Sequence, residues 1–348
     1  MSKSLSGSTV LVTGAGGSIG SALAKRVFGW APEFLVLLDH SERNLYDVET
    51  DLSADGDSIP IASVLGDTSD EELLSKTLER YHPNVIYHAA AFKHVPLMER
   101  NPIAAIQNNA LGTNVLARVA RKHGVEMVTM VSTDKAVSPR SIMGASKRLA
   151  ELALVRWACE QSRMRSIRLG NVYGTEGSVV KLFTQQILAG GPVTITHSEA
   201  TRYFLTLEEA VDLIVLASEL PGNANILIPD LGKPVRILDL ASRMIEEAGY
   251  VAGKEIPITF IGLRPGEKLA EDLASLAESV ESTVNPQISS VKSIEIHPDK
   301  FDVLMAKLAR AGDRHDLPAM LETLRYMVPE YEPSDSLLRF LGGLRLES

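Results

Sequence analysis

TVLVTGAGGSIGSALAKRV, residues 9 to 27, decides the fold. Thr9 to Thr13 is a short run of β-branched and apolar residues, the composition of a buried strand. Gly14-Ala-Gly-Gly17-Ser18-Ile19-Gly20 follows at once, and Ile19, Leu23 and Val27 then recur at helical spacing. Strand, glycine turn and helix in that order make a cradle for a dinucleotide. The pyrophosphate needs backbone N–H groups at close range and the positive end of a helix, and Cβ atoms at Gly14, Gly17 or Gly20 would obstruct the approach or the packing. Phe34 to Leu38 (FLVLL) predicts a second buried strand. It ends at Asp39, close to the spacing of about 20 residues at which a ribose-binding carboxylate is expected. A carboxylate that accepts both ribose hydroxyls repels a 2′-phosphate, which favours NAD. Arg43, one helical turn on, could pair with that phosphate and keeps NADP open.

Outward from this unit the alternation continues. Ile61 to Leu65 leads into Gly66-Asp67, Asn84 to His88 (NVIYH) leads into Ala89-Ala90-Ala91, Met127 to Val131 forms a fifth strand and Ser166 to Leu169 a sixth. Five or six strands alternating with helices predict an α/β fold with a doubly wound parallel sheet. Asp67 is placed to meet the adenine. The three alanines let the nicotinamide half of a cofactor pass close to the backbone. The most polar strand end is VSTDKAVSPRSIMGASK, residues 131 to 147, where Ser132, Thr133, Asp134 and Lys135 gather beyond a carboxyl terminus, the side on which open sheets bind ligands. Met143 and Lys147, four residues apart, share a helix face. On residues alone, Asp134 and Lys135 read either as catalytic groups or as a salt bridge at a strand end.

The chain has 348 residues, 45% apolar and 23% charged, enough for a large core and two lobes. A net charge of −9 argues against nucleic acid or an anionic membrane surface as partner. The single cysteine, Cys159, has no intrachain partner. No apolar run approaches the ~18–20 residues of a membrane span, and MSKSLSGS at the start lacks the apolar stretch of a signal peptide, so the expected compartment is the cytoplasm. His88, His94 and His197 lie on separate segments without metal-ligand spacing, and no metal is expected. After Gly170-Asn171 the alternation loosens. The expected domains are therefore 1–170 for the dinucleotide, with 201–222 returning to it, and 171–200 plus 223–348 for a smaller substrate lobe. Residues 299–325 read as two short helices broken near Gly312.

The TGxxGxxG turn, the acidic end of the second strand, Asn109 in NALGT and the Ser132–Lys147 pattern resemble the extended short-chain dehydrogenase/reductases, which implies a Rossmann fold. Further blocks narrow the resemblance: HAAAFKHVPLMERNP (88 to 102), VSTDKAVSPRSIMGASKRLAE (131 to 151), GPVTITHSEATRYFLT (191 to 206), LGKPVRILDLASRMI (231 to 245), GLRPGEKL (262 to 269) and VPEY (328 to 331). Together they are similar to the nucleotide-sugar dehydratases of polysaccharide biosynthesis, the UDP-N-acetylglucosamine 4,6-dehydratases above all. That resemblance implies hydride transfer from sugar C4 to NAD or NADP, loss of water across C5–C6, and hydride return to C6. It also implies assembly into a homo-oligomer, dimer or hexamer.

By the same resemblance Thr133 contacts O4, Asp134 is the acid, Lys135 the base, and Lys147 holds the nicotinamide ribose. Ser18, Ile19 and Asn109 join Gly14, Gly17, Gly20, Asp39, Arg43, Asp67 and Ala89 to Ala91 around the cofactor. Lys93, Asn171, Val180, Arg202 and Arg264 take the UDP-sugar. On an acidic protein a diphosphate needs local cations, and arginine is the best-shaped donor. Lys181 departs from the expected apolar residue and meets either nucleotide or solvent. Met143 is the larger departure. Most short-chain dehydrogenases carry a tyrosine there, and a thioether has no titratable proton. A branch of the dehydratases, typically in long proteins with an N-terminal membrane portion, carries Met at this position, and the Met form implies retention at C5. A nucleotide-sugar 4-epimerase and an inactive nucleotide-sugar-binding protein are the alternative readings.

Overall fold

The computed structural model describes residues 5, 7–54, 59–222, 225–292 and 296–344. Residues 1–4, 6, 55–58, 223, 224, 293–295 and 345–348 of the expected domains lie outside the described residues. Six strands form as the hydrophobic runs predict: β1 (Thr9–Thr13), β2 (Phe34–Asp39), β3 (Ile61–Leu65), β4 (Val85–His88), β5 (Met127–Thr133) and β6 (Arg163–Leu169). They lie side by side in the order β3-β2-β1-β4-β5-β6, all parallel. The order in which successive strands are added therefore reverses between β1 and β4, and Thr13 ends β1 flanked by Leu38 and His88. That is the topological switch point at which such sheets bind ligands.

Alternate residues of each strand feed opposite faces. Val10, Val12, Leu35 and Leu37 pack against α1 (Ser18–Phe28), α2 (Glu42–Ala54) and the helix Leu207–Glu219, through Leu23, Val27, Leu45, Val48 and Ile214. Leu11, Val36 and Leu38 pack the other way, onto α3 (Glu71–Tyr81), Gly112–Lys122 and Ile142–Trp157. Local signals set the helix starts. Asp70 accepts from Leu73 N ahead of α3, Ser141 accepts from Gly144 N ahead of the Lys147 helix, and Thr206 and Glu209 form a reciprocal capping box.

The sheet is wider than the alternation predicts. Ile226–Pro229 adds a seventh parallel strand beside β6, and Ile288–Lys292 and Ser279–Ser282 extend it antiparallel. The helices Pro298–Asp313 and Leu317–Met327 pack on Ile142–Trp157 through Phe301, Met305, Leu308 and Met320. The assignment of all of 223–348 to a separate lobe is thus corrected. An antiparallel hairpin needs no crossover helix, so this part of the sheet leaves no alternating pattern in the sequence. What stands apart is a small core of Phe183, Ile187, Val193, Ile195, Ile237, Ile245 and Ile256. It is drawn from Val179–Leu188, Val193–Ile195, Ile237–Glu247 and their surroundings. Among the described residues no helix is long and apolar enough to cross a membrane.

Candidate active site

Backbone makes the first half of the cleft. Gly14 has φ +66°, and a Cβ there would lie 2.5 Å from Ala90 N; one on Gly20 would lie 1.9 Å from Gly14 O. Neither position admits a side chain. Gly17 caps α1 with no side-chain hydrogen bond and no acid follows in the first turn, so the orphan N–H groups of the helix are left for an anion. Gly14, Gly17, Asp39, Asp67 and Ala89 to Ala91 line one pocket there. Asp39 is buried at the end of β2, where its two oxygens accept from Gly16 N and Ser41 N, each at 2.9 Å.

Arg43 and Asn109, both expected at the cofactor, line neither that pocket nor the adjoining cavity. The Arg43 side chain is 89% exposed and sits 3.9 Å from Asp47 on its own helix. Asn109 is fully buried, accepting from Phe92 N at 2.8 Å and donating to Phe92 O at 2.9 Å and Ser146 Oγ at 3.0 Å. Its amide is consumed in tying the 89–92 loop to the Lys147 helix, so it shapes the wall without facing the ligand. It lies in a π-helical turn, Ile106–Leu111. Ser18 Oγ accepts from Glu176 N at 3.3 Å, joining α1 to the substrate side, and Ile19 faces the adjoining cavity.

That second cavity opens at the ends of β4, β5 and β6, lined by Thr133, Lys135, Met143, Lys147 and Asn171 among others. Asp134 lies just behind, with no exposed surface. The three residues of the strand end form one hydrogen-bonded group. Thr133 Oγ1 donates to Asp134 Oδ1 at 3.0 Å, Lys135 Nζ donates to the same oxygen at 2.9 Å, and Lys135 Nζ also reaches Asn171 Oδ1 at 3.0 Å. Asp134 Oδ2 is buried without a hydrogen-bond partner. Lys147 is buried with no hydrogen bond or ion pair among the described residues, and burial pulls its ammonium down to about 8 against the opposing pull of Glu151. Met143 is buried beside it. His88 is taken up by the core, between Thr13 Oγ1 at 2.7 Å and Thr113 Oγ1 at 2.9 Å, and burial drives its imidazole down to about 3.

A buried ionic network supports the strand end. Ser132 Oγ donates to Glu151 at 2.6 Å, Arg168 and Arg148 each donate to Glu151 at 2.9 Å, and both arginines reach Glu278, at 2.8 and 3.1 Å. Burial alone would raise Glu151, but the two guanidiniums and the serine hydroxyl overcome it and hold the carboxylate down at about 2. β5, β6, the Lys147 helix and the approach to Ser279–Ser282 are thereby locked together.

On the substrate side, Lys93, Asn171, Arg202 and Arg264 line a continuation of the cavity, and Val180 lines its mouth. Arg202 is not available as a clamp. Its guanidinium donates to Glu267 Oε1 at 2.9 Å and to the carbonyls of Lys268 and Leu269 at 2.8 and 3.0 Å, so it holds the 267–269 loop. Arg264 and Lys93, whose charged groups have no hydrogen bond or ion pair among the described residues, are the cations of this wall left for an anion. Lys181 pairs with Glu176. Burial lowers Lys93, with Glu176 and Lys181 pulling it in opposite directions.

Sequence reasoning missed Glu271. It is buried in the same wall, two residues beyond the block that ends at Leu269, and nothing local marks it. Among the described residues no group of three His, Cys, Asp or Glu is placed to hold a metal ion.

The pattern of the polysaccharide biosynthesis protein family matches residues 10–293. The probable polysaccharide biosynthesis protein EpsC of Bacillus subtilis is 40% identical over 320 residues, covering 91% of this chain and 52% of that protein. The capsular polysaccharide biosynthesis protein CapD of Staphylococcus aureus is 43% identical over 281 residues, covering 80% of this chain and 47% of that protein. The chain thus spans about half the length of these curated relatives. Among solved structures, Pen from Bacillus thuringiensis superposes with a TM-score of 0.74 at 27% identity, over 85% of this chain and 90% of that one. The matched span carries the glycine turn, the strand-end triplet and the Arg264 loop in a single frame, and the chain belongs to the polysaccharide biosynthesis protein family.

Proposed function

We propose that the chain catalyses the 4,6-dehydration of a UDP-sugar, UDP-N-acetylglucosamine first among candidates, with NAD in the glycine-lined half of the cleft. The observation that carries the reading is the hydrogen-bonded Thr133–Asp134–Lys135 group sharing a cavity with Met143 and Lys147. The fit to a dinucleotide rests on the Cβ-intolerant turn at Gly14 and Gly20 and the uncapped start of α1. Asp39 favours ribose hydroxyls over a 2′-phosphate, and the outward-facing Arg43 removes the main argument for NADP. When bound there, NAD would supply the hydride acceptor for sugar C4 and the hydride donor for C6.

Every proton then has a place on this chain. Thr133 accepts the hydrogen bond of the C4 hydroxyl and, through its own bond to Asp134 Oδ1, passes that proton to the carboxylate. Met143 cannot share this task. Lys135 removes the C5 proton, Asp134 protonates the departing C6 oxygen as water, and Lys135 gives its proton back to C5. One lysine acting on one face removes the C5 proton and, after its amine has exchanged with solvent, delivers a proton to that same face, so C5 keeps its configuration. Lys147, as a buried cation, orients the cofactor ribose, while Arg264 takes the diphosphate.

A 4-epimerase would need a base for the C4 hydroxyl and no C5 chemistry, and the Lys135–Asp134 pair argues against it. Incubation of the pure protein with UDP-N-acetylglucosamine in deuterated water distinguishes the two. The expected outcome is loss of water with deuterium entering at C5. An unchanged mass with a new C4 epimer, or an L-configured C5, would contradict the proposal.

A further inference from the structure

The contact of 2.9 Å between Lys135 Nζ and Asp134 Oδ1 is that of an ammonium with a carboxylate. An ammonium cannot take the C5 proton. Once the C4 hydroxyl proton neutralises Asp134, Lys135 loses its counter-ion and must give up a proton before it can act. Glu271 is placed to receive it. Glu271 lines the same cavity wall as Lys135, Asn171 and Arg264. Its side chain is 3% exposed and its Oε2 is buried without a hydrogen-bond partner. The nearest cation, Lys268 Nζ, stands 3.7 Å away and donates instead to Val137 O at 2.6 Å. Asp134 Oδ2, on the carboxylate that Lys135 pairs with through Oδ1, is a second buried oxygen without a hydrogen-bond partner. Two buried carboxyl oxygens with unmade hydrogen bonds, one on the partner of Lys135 and one in the cavity wall that Lys135 also lines, are an arrangement a structural ion pair does not need.

The charged groups that act on Glu271 come from every neighbouring element. Burial raises its carboxyl, Lys135 pulls it down, Asp134 raises it, and Arg202 and Lys268 pull it down. Arg264 and Glu267 share its cavity. Its protonation is therefore set against that of the strand-end pair.

We propose that Glu271 is a positioning residue that stores one proton: it takes the proton of the Lys135 ammonium as Asp134 becomes neutral, and returns it after C5 has been reprotonated. The proposal rests on the dehydration reading, and the protons balance. The proposed cycle starts from a Lys135 ammonium paired with the Asp134 carboxylate, with Glu271 ionised. Arrival of the C4 hydroxyl proton gives protonated Asp134, neutral Lys135 and protonated Glu271, the last by transfer through cavity water. Lys135 then takes the C5 proton and Asp134 loses its own to the leaving oxygen. Return of the proton from Lys135 to C5, and from Glu271 to Lys135, restores the resting state with one water formed.

The test compares wild type, Glu271→Gln and Glu271→Asp on UDP-N-acetylglucosamine in deuterated water across pH. Gln keeps the shape and cannot accept a proton. The turnover of Glu271→Gln near neutrality should fall about 10- to 100-fold with little change in KM. The ascending limb of its kcat profile should move up by about one pH unit, because solvent must then deprotonate Lys135. Asp should restore part of the rate. A Glu271→Gln profile parallel to wild type, whether at full rate or uniformly reduced, would overturn the proposal. Absence of water loss in wild type would overturn the dehydration reading instead. The glutamate is then followed directly by carbon-13 carboxyl NMR, its signal assigned by its loss in Glu271→Gln. Its titration midpoint should drop on Asp134→Asn, and an unmoved midpoint would overturn the coupling.

Discussion

The two halves of the cleft are built by different means. Around Gly14, Gly17 and Gly20 the working surface is backbone, produced by consecutive residues whose spacing alone dictates strand, turn and helix. Around Lys135 the surface is side chains from β5, the loop after β6 and the 264–271 loop, joined only when the chain has folded. The first half tolerates no added Cβ at Gly14 or Gly20, and the second no altered charge.

Lys135→Met tests this contrast most strongly. It should abolish deuterium entry at C5, a loss of about 10³-fold in turnover, while NAD binding by titration calorimetry stays intact. Exchange that persists would remove Lys135 as the base. The two arginines should then separate. Arg264→Ala should raise KM for the UDP-sugar by about 10-fold or more through loss of a charge-assisted contact, with kcat nearly unchanged. Arg202→Ala should instead lower the melting temperature by freeing the 267–269 loop. Equal effects from both would erase the distinction between clamp and strut.

On the cofactor side Asn109→Ala deletes the bonds that hold Phe92 and Ser146 and should cost about 1–3 kcal/mol in urea unfolding. Lys147 adds a pH effect of smaller size. Burial lowers its ammonium from 10.5 to about 8. Between those values the unfolded chain keeps a proton that the folded chain has lost, so this residue makes stability rise with pH through that window. Lys147→Met should flatten the rise in denaturant titrations at its two ends. The smallest effect belongs to Arg43→Ala, which should change NAD affinity by less than about 0.5 kcal/mol. A marked gain for NAD over NADP would return Arg43 to the site.

Legibility in the sequence followed the same division. TVLVT and the glycines after it could be read because strand propensity and turn sterics act within a few residues. The Thr133–Asp134–Lys135 group could be read because it sits at a strand end. Asn109 and Arg202 have donors that suit a ligand, and only the fold shows Phe92, Ser146, Glu267 and Leu269 already engaging them. Glu271 carried no signal, since its burial depends on a loop folding against β5 from 136 positions downstream of Lys135. The hairpin of Ser279–Ser282 and Ile288–Lys292 was hidden because antiparallel pairing breaks the strand–helix rhythm on which the fold prediction relied.

The network of Arg148, Glu151, Arg168 and Glu278 has an evolutionary consequence. Two positive and two negative groups, none more than 3% exposed, pair with one another in the core, and Arg148 also reaches the half-buried Glu330 at 2.9 Å. Removing any one strands an uncompensated charge at a cost of about 3–5 kcal/mol, whereas exchanging the whole set for apolar residues can be neutral. Single mutational steps away are closed, so descendants of this chain should inherit the four residues as a block or lose them together.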